Sequence, residues 1–329
     1  MALTIGVDVG GTKVAAGVVD DRGTILEKVR RPTPSTNPKE TAEVIAEVVD
    51  LLKGKFEEVS AVGLGTAGFV DETRSTVLFA PNLAWRDEPI KEKVESRVGL
   101  PVVVENDGNA TAWGEARFGA GRGENFIVLV ALGTGIGGGI IINGELYRGQ
   151  FGIGAEMGHF RVVPDGRRCG CGNRGCWEQY ASGNALVHEA RDLARVAPAM
   201  AGRLLELGDG RPEGISGPEV TQAAREGDKA ALECFRTVAH WAGQGLADLS
   251  AILDPGAFII GGGLSDAGDL LLDPVRVAFE DALTGRGHRP LPDIRIAELG
   301  SAAGIVGAAD LARSINAIPA QGYSPSGSV

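Results

Sequence analysis

Three apolar, β-branched runs in this chain each end abruptly in a glycine cluster. Leu3 to Val9 meets Gly10-Gly11, Phe126 to Leu132 meets Gly133-Thr134-Gly135, and Ala257 to Ile260 meets Gly261-Gly262-Gly263. Short apolar runs bounded by glycine read as buried strands, and the glycines as turns whose backbone approaches a ligand closely. Glycine makes up 50 of the 329 residues, about twice its ordinary share of about 7%, with no collagen period. The chain therefore repeats one strand-and-turn theme, and its length and 43% hydrophobic content suit two domains.

Around these runs the pattern alternates. Leu3 to Val9, Val14 to Val19 and Thr24 to Val29 read as three strands joined by tight turns. A helix is expected after Asn37 with Pro38 as its first residue, its apolar face set by Val44, Ile45, Val48, Leu51 and Leu52. A strand at Val59 to Gly65, a helix over Pro89 to Val98 and the strand Val102-Val103-Val104 follow. In the second half, Phe126 to Leu132 and Gly139 to Ile142 form a hairpin, with helices over Asn184 to Val196, Pro218 to Glu226 and Lys229 to Leu253. The strand Ala257 to Ile260, a further helix, a strand near Ile294 to Ala297 and a last helix from Ser301 to about Ser314 complete the pattern. Strands alternating with helices imply an α/β class. The tail 315–329, rich in Pro, Ser and Gly, is expected to be disordered.

Asp8-Val9-Gly10-Gly11-Thr12-Lys13 sets two glycines, a hydroxyl and a cation at a strand-to-strand turn. Backbone N–H groups there can hold phosphate oxygens, with Asp8 toward a magnesium ion. A plain hairpin turn explains one such segment equally well. The second copy, Gly133-Thr134-Gly135, favours two jaws on one nucleotide, and Gly262-Gly263, lacking hydroxyl or cation, suits the nucleoside. No Walker loop with its Lys-Ser/Thr ending is present. Glu105-Asn106-Asp107 ends a strand where a helical pattern begins, so Asp107 reads as a helix N-cap or as a functional carboxylate at the mouth of a sheet. A helix N-terminus is expected to keep it ionised near neutral pH.

Glu156-Met157-Gly158-His159 precedes Cys169-Gly170-Cys171-Gly172-Asn173-Arg174-Gly175-Cys176-Trp177-Glu178. His159, Cys169, Cys171 and Cys176 make a complete Cys₃His set with no open position for a catalytic water, which is the pattern of a structural zinc. Glu156 and Glu178 flank the set, although a solvated loop charge also accounts for Glu178. Cys234, inside a helical pattern, reads as a small buried apolar residue.

These segments, in this order, resemble the ROK family of repressors, open reading frames and sugar kinases, and most closely its ATP-dependent glucokinases, across Thr4 to about Ser314. The resemblance implies the actin-like, ribonuclease-H-like fold, two α/β domains around a cleft, here 1–108 with about 300–314, and 109–299. It implies phosphorylation of the glucose 6-hydroxyl by ATP with Asp107 as general base. Asn106, Glu156, His159 and Glu178 match the sugar-binding positions, with Gly68 and Asn82 as further contacts. Gly10, Gly11, Thr12, Lys13, Gly133, Thr134 and Gly135 match phosphate positions, Asp8 faces the Mg²⁺, and His159 serves both zinc and sugar. Ala67 stands where the family often has Pro, which makes Gly68 the less secure contact. Kinases of N-acetylglucosamine, mannose or fructose, a sugar-sensing regulator, and a polyphosphate donor are the alternatives.

Charge narrows the partners. A net charge of −11 argues against an unaided grip on nucleic acid, and only a few residues precede the first strand, without the helix-turn-helix of the repressor branch. The N-terminus lacks a basic region ahead of an apolar core, so a cytoplasmic location is expected. The uncharged run Asn125 to Gly144 is broken by five glycines and reads as strand, loop, strand rather than a membrane span. Family resemblance implies a homo-oligomer, a dimer or tetramer.

Overall fold

The computed structural model describes residues 3–314, so the tail expected at 315–329 lies outside the described residues. They fall into two compact units. The first holds the described residues up to Gly114, together with Gly149–Ile153 and the stretch from Ser301; the second holds Glu115–Arg148 and Gly154–Gly300.

In the first unit, β1 (Leu3–Val9), β2 (Lys13–Val19) and β3 (Ile25–Pro32) form an antiparallel ladder. Helix α1 (Pro38–Lys53) begins where expected, because the Asn37 side chain accepts from Glu40 N and Pro38 needs no N–H there. It buries Ile45, Val48, Val49 and Leu52. Strand β4 (Val59–Thr66) then pairs parallel with β1. A small antiparallel sheet follows, made of β5 (Phe69–Val70), β6 (Val77–Phe79) and β7 (Arg86–Glu88). Its strands are two or three residues long, too short to show a period in sequence. Helix α2 (Ile90–Val98), strand β8 (Val102–Asn106) and helix α3 (Asp107–Phe118) complete this run, giving the main sheet the order β3-β2-β1-β4-β8. The division between units runs through α3.

The second unit repeats the plan. Strands β9 (Ile127–Leu132), β10 (Ile136–Ile142) and β11 (Glu145–Tyr147) are antiparallel, which places Asn125 to Gly144 in a hairpin. Strand β10 starts earlier than expected because Gly137, Gly138 and Gly139 pair with β9 rather than form the loop. Helices α4 (Glu178–Ala181), α5 (Gly183–Val196), α6 (Gly202–Leu207), α7 (Gly217–Arg225) and α8 (Lys229–Leu253) lead to β12 (Ala257–Gly261), α9 (Asp269–Ala282) and β13 (Asp293–Ile296). The sheet order is β11-β10-β9-β12-β13, with β9, β12 and β13 parallel. Both sheets thus place three antiparallel strands beside two parallel ones. Helix α10 (Ala303–Ser314) belongs to the first unit and starts later than Ser301, after a 3-10 turn at Gly300–Ala302.

Burial explains the glycine count. The α10 backbone lies so close to β1 and β4 that a Cβ at Gly6 or Gly63 would strike the carbonyls of Ile305 or Ala308. Those strands are buried almost end to end, as expected of parallel strands covered on both faces. Cys234 is in the core of α8, as its helical setting suggested. Among the described residues no helix is long and apolar enough to cross a membrane.

Candidate active site and metal centre

In the first unit, the β1–β2 turn carries Gly10, Gly11, Thr12 and Lys13. Its closure is a hydrogen bond from Gly10 N to Lys13 O at 3.0 Å, and Thr33 Oγ1 donates to Gly10 O at 2.7 Å. The side chains of Thr12 and Lys13 are exposed. Asn82 stands against Gly11, its Cβ 3.0 Å from where a Gly11 Cβ would be. Asp8, at the end of β1, is partly buried, and its carboxyl is pushed up to about 6, first by lost solvation and then by the nearby Asp107 charge, with Lys13 opposing.

Asp107 opens α3, yet the cap is its neighbour. Asn106 Oδ1 accepts from Asn109 N at 3.0 Å, the bond an N-cap makes, so Asp107 is the first helical residue rather than the cap. The Asp107 carboxylate instead accepts from Gly108 N at 2.9 Å. That bond favours the ionised form, but burial outweighs it and lifts Asp107 above the ordinary carboxylate range. Desolvation thus opposes the helix end, which was expected to keep this acid ionised near neutral pH. Asn106 Nδ2 donates to Gly68 O at 3.0 Å, which joins two of the expected sugar positions. Gly68 has φ +109, a conformation that glycine alone adopts freely.

In the second unit, a short 3-10 turn at Met157–His159 lies on β10, and His159 N donates to the carbonyl of the exposed Glu156 at 3.1 Å. The three cysteines return to it. Cys169 Sγ is 3.5 Å from His159 Nδ1, Cys171 Sγ is 3.6 Å from Cys176 Sγ, and all four ligating atoms lie within 4.8 Å of one another. A tetrahedral zinc with Zn–S near 2.3 Å sets sulfurs about 3.8 Å apart, so the set fits such an ion. Trp177, fully buried, anchors the loop: its Nε1 donates to Trp241 O at 2.7 Å, and its ring stacks on Phe160 at 5.0 Å.

Glu178 links this loop to the second glycine turn. Its Oε2 accepts from Ile136 N at 3.4 Å, its Oε1 accepts from Cys169 Sγ at 2.9 Å, and a Cβ at Gly135 would collide with it. Burial, then this carboxylate, holds the Cys169 thiol far above its usual range in the metal-free protein. The turn itself receives a bond from Gly183 N to Gly133 O at 2.8 Å, which ties it to the start of α5. Thr134 is exposed.

Gly133, Thr134 and Gly263 line one cavity of about 900 Å³ in the second unit, together with Asn184, Gln222 and Arg225 from α5 and α7. That volume suits a nucleotide. Gly262, also expected at the nucleoside, packs its backbone against Leu132, with φ +81. Asn184, Gln222 and Arg225 were not picked out in sequence, since they sit on ordinary amphipathic helices with no motif around them.

A sequence model of the ROK family matches residues 4–315. The chain is 57% identical to a glucokinase of Streptomyces coelicolor over 313 residues, which is 95% of this chain and 98% of the relative. It is 40% identical to a Thermotoga maritima glucokinase over 84% of this chain and 87% of that one. Among solved structures, a ROK family glucokinase from Streptomyces griseus in complex with glucose and AMPPNP superposes with a TM-score of 0.85, at 57% identity, covering 95% of this chain and 99% of that one.

Proposed function

The chain belongs to the ROK family, and we propose that it transfers the γ-phosphoryl group of ATP to the 6-hydroxyl of glucose, giving glucose 6-phosphate and ADP. The observation that carries this reading is the likeness, along nearly the whole chain, to a glucokinase crystallised with glucose and an ATP analogue.

The residues supply the chemistry. Phosphoryl transfer depends mainly on positioning and on stabilising charge. Asp107 accepts the proton of the 6-hydroxyl, and its raised carboxyl suits a base that must also release that proton. Asn106, Gly68, Asn82, Glu156, His159 and Glu178 are assigned to the sugar. The turns Gly10 to Lys13 and Gly133 to Gly135 are assigned to the phosphates, and the cavity bearing Gly263 to the nucleoside.

Mg²⁺ travelling with ATP neutralises phosphate charge. Asp8 fits that role, because burial and then the Asp107 charge push its carboxyl toward protonation, and a cation relieves this. Zinc supplies order when bound, since His159, Cys169, Cys171 and Cys176 fill its whole coordination shell. His159 presents Nδ1 to the cysteines, which leaves Nε2 for a sugar hydroxyl. On this reading the enzyme works in the cytoplasm, where ATP is available as donor, as a dimer or tetramer like others of its family.

The test is a coupled assay of purified protein with ATP and polyphosphate as donors and glucose, mannose, fructose and N-acetylglucosamine as acceptors. Glucose with ATP should give the highest kcat/KM, and a clear preference for any other pair overturns the assignment.

A further inference from the structure

We propose that Glu105, held by Arg74, is a positioning residue for phosphoryl transfer: it sets the backbone corner from which Asn106 and Asp107 project. This rests on reading Asp107 as the base.

Glu105 is the penultimate residue of β8, and its side chain is fully buried. A carboxylate without solvent is costly unless each oxygen finds a partner. Here Oε1 accepts from Asn106 N at 2.9 Å and from Asn109 Nδ2 at 3.1 Å, while Oε2 faces Arg74 Nε at 3.2 Å. One carboxylate thus grips the backbone just before Asp107 and a side chain of the first turn of α3.

Arg74 is delivered to it by a constrained turn between β5 and β6. Asp71 Oδ1 accepts from Ser75 N at 2.8 Å and Thr76 N at 2.9 Å, and Arg74 N donates to Asp71 O at 3.1 Å. Arg74 takes φ +57, a left-handed backbone uncommon for a side chain of this size. Its carbonyl accepts from Val104 N at 3.1 Å, which laces the turn to β8. Gly68, which accepts from Asn106, lies on the same excursion of the chain.

Both ends of this excursion therefore converge on the Asn106-Asp107 corner, one through Gly68 and one through Arg74 and Glu105. A buried ion pair adds little net stability over apolar residues of equal size. Its effect here is geometric. An orientation error of about 1 Å at a reacting group can cost about a hundredfold in rate.

The experiment compares the full chain with Glu105→Gln, Arg74→Gln and the double variant. Wild-type transfer to glucose is scored first; its absence defeats the proposed function, whereas the test of Glu105 also reads amide hydrogen exchange at Asn106 to Asn109, which needs no turnover. Expected are faster exchange at those amides, a kcat lowered about a hundredfold per folded molecule, a raised glucose KM and an ATP KM within twofold of wild type. The double variant should lose no more than the worse single one, because the pair acts as a unit. Unchanged exchange, a kcat within threefold of wild type, or multiplying losses in the double variant overturns the proposal. If Glu105→Gln does not fold, Arg74→Lys, which keeps the charge but loses Nε, carries the same expectations and the same refutation.

Discussion

Asp8 should be a residue that the protein holds at a cost to its own stability. Its carboxyl titrates at about 6 in the folded chain against an ordinary value of 3.8, a gap of about two units. Each unit is worth about 1.4 kcal/mol, so ionised Asp8 destabilises the native state by about 3 kcal/mol at neutral pH. The sign follows from the direction of the shift. A group whose folded pKa is raised contributes stability that is complete below the unfolded pKa and lost as pH rises through the folded one. Asp8→Asn removes this titration. The variant and wild type should therefore unfold alike near pH 4, and a gap should open between about pH 4 and 6. By pH 7.5 the variant should be more stable by about 3 kcal/mol, or roughly 6–12 °C in Tm for a unit of this size. The assay is thermal unfolding followed by circular dichroism at several pH values without ligands. A variant no more stable than wild type at pH 7.5, or a gap of the same size at pH 4 and 7.5, refutes the reasoning. The same substitution should abolish most turnover, since the group retained at that cost is the one assigned to the cation.

Asp107→Ala should lower kcat by several orders of magnitude while glucose binding stays measurable by calorimetry; retained turnover contradicts its role as base. The acidic limb of the pH profile of kcat/KM should lie above the ordinary carboxylate range, activity rising with pH as Asp107 and Asp8 lose their protons, and a limb near pH 4 would show that burial does not act as argued. Metal analysis should find about one zinc per chain, and a chelator or Cys171→Ser should weaken glucose binding through loss of loop order; metal-free protein with unchanged affinity counts against the site. In Gly135→Ala the new Cβ pushes on the far end of Glu178 rather than on backbone, so glucose KM should rise about tenfold or more with Tm nearly unchanged. A large fall in Tm with an unaltered KM would show that Glu178 does not serve the sugar.

Much of this molecule was legible before folding, where the signals are local. Asn37-Pro38 marks the start of α1, because a cap and a fixed φ act within one turn. Glycine-bounded apolar runs mark β1, β9 and β12, since the strand period and the turn both lie within a few residues. His159, Cys169, Cys171 and Cys176 were readable as one ligand set from spacing, and the fold brings their donor atoms together. The strands β5 to β7 were not legible, being too short to carry a pattern.

What the chain determines alone, then, is its order of strands and helices, its repeated glycine turns and the residue types available for phosphate, sugar and metal. Only the tertiary structure decides that burial lifts the Asp107 carboxyl, that Gly135 is the residue making room for Glu178, and that Arg74 crosses to a buried Glu105. Caps and periodicity depend on neighbours along the chain. Burial, pairing and close approach depend on residues far apart in sequence, and their free energies exist only once the chain has packed.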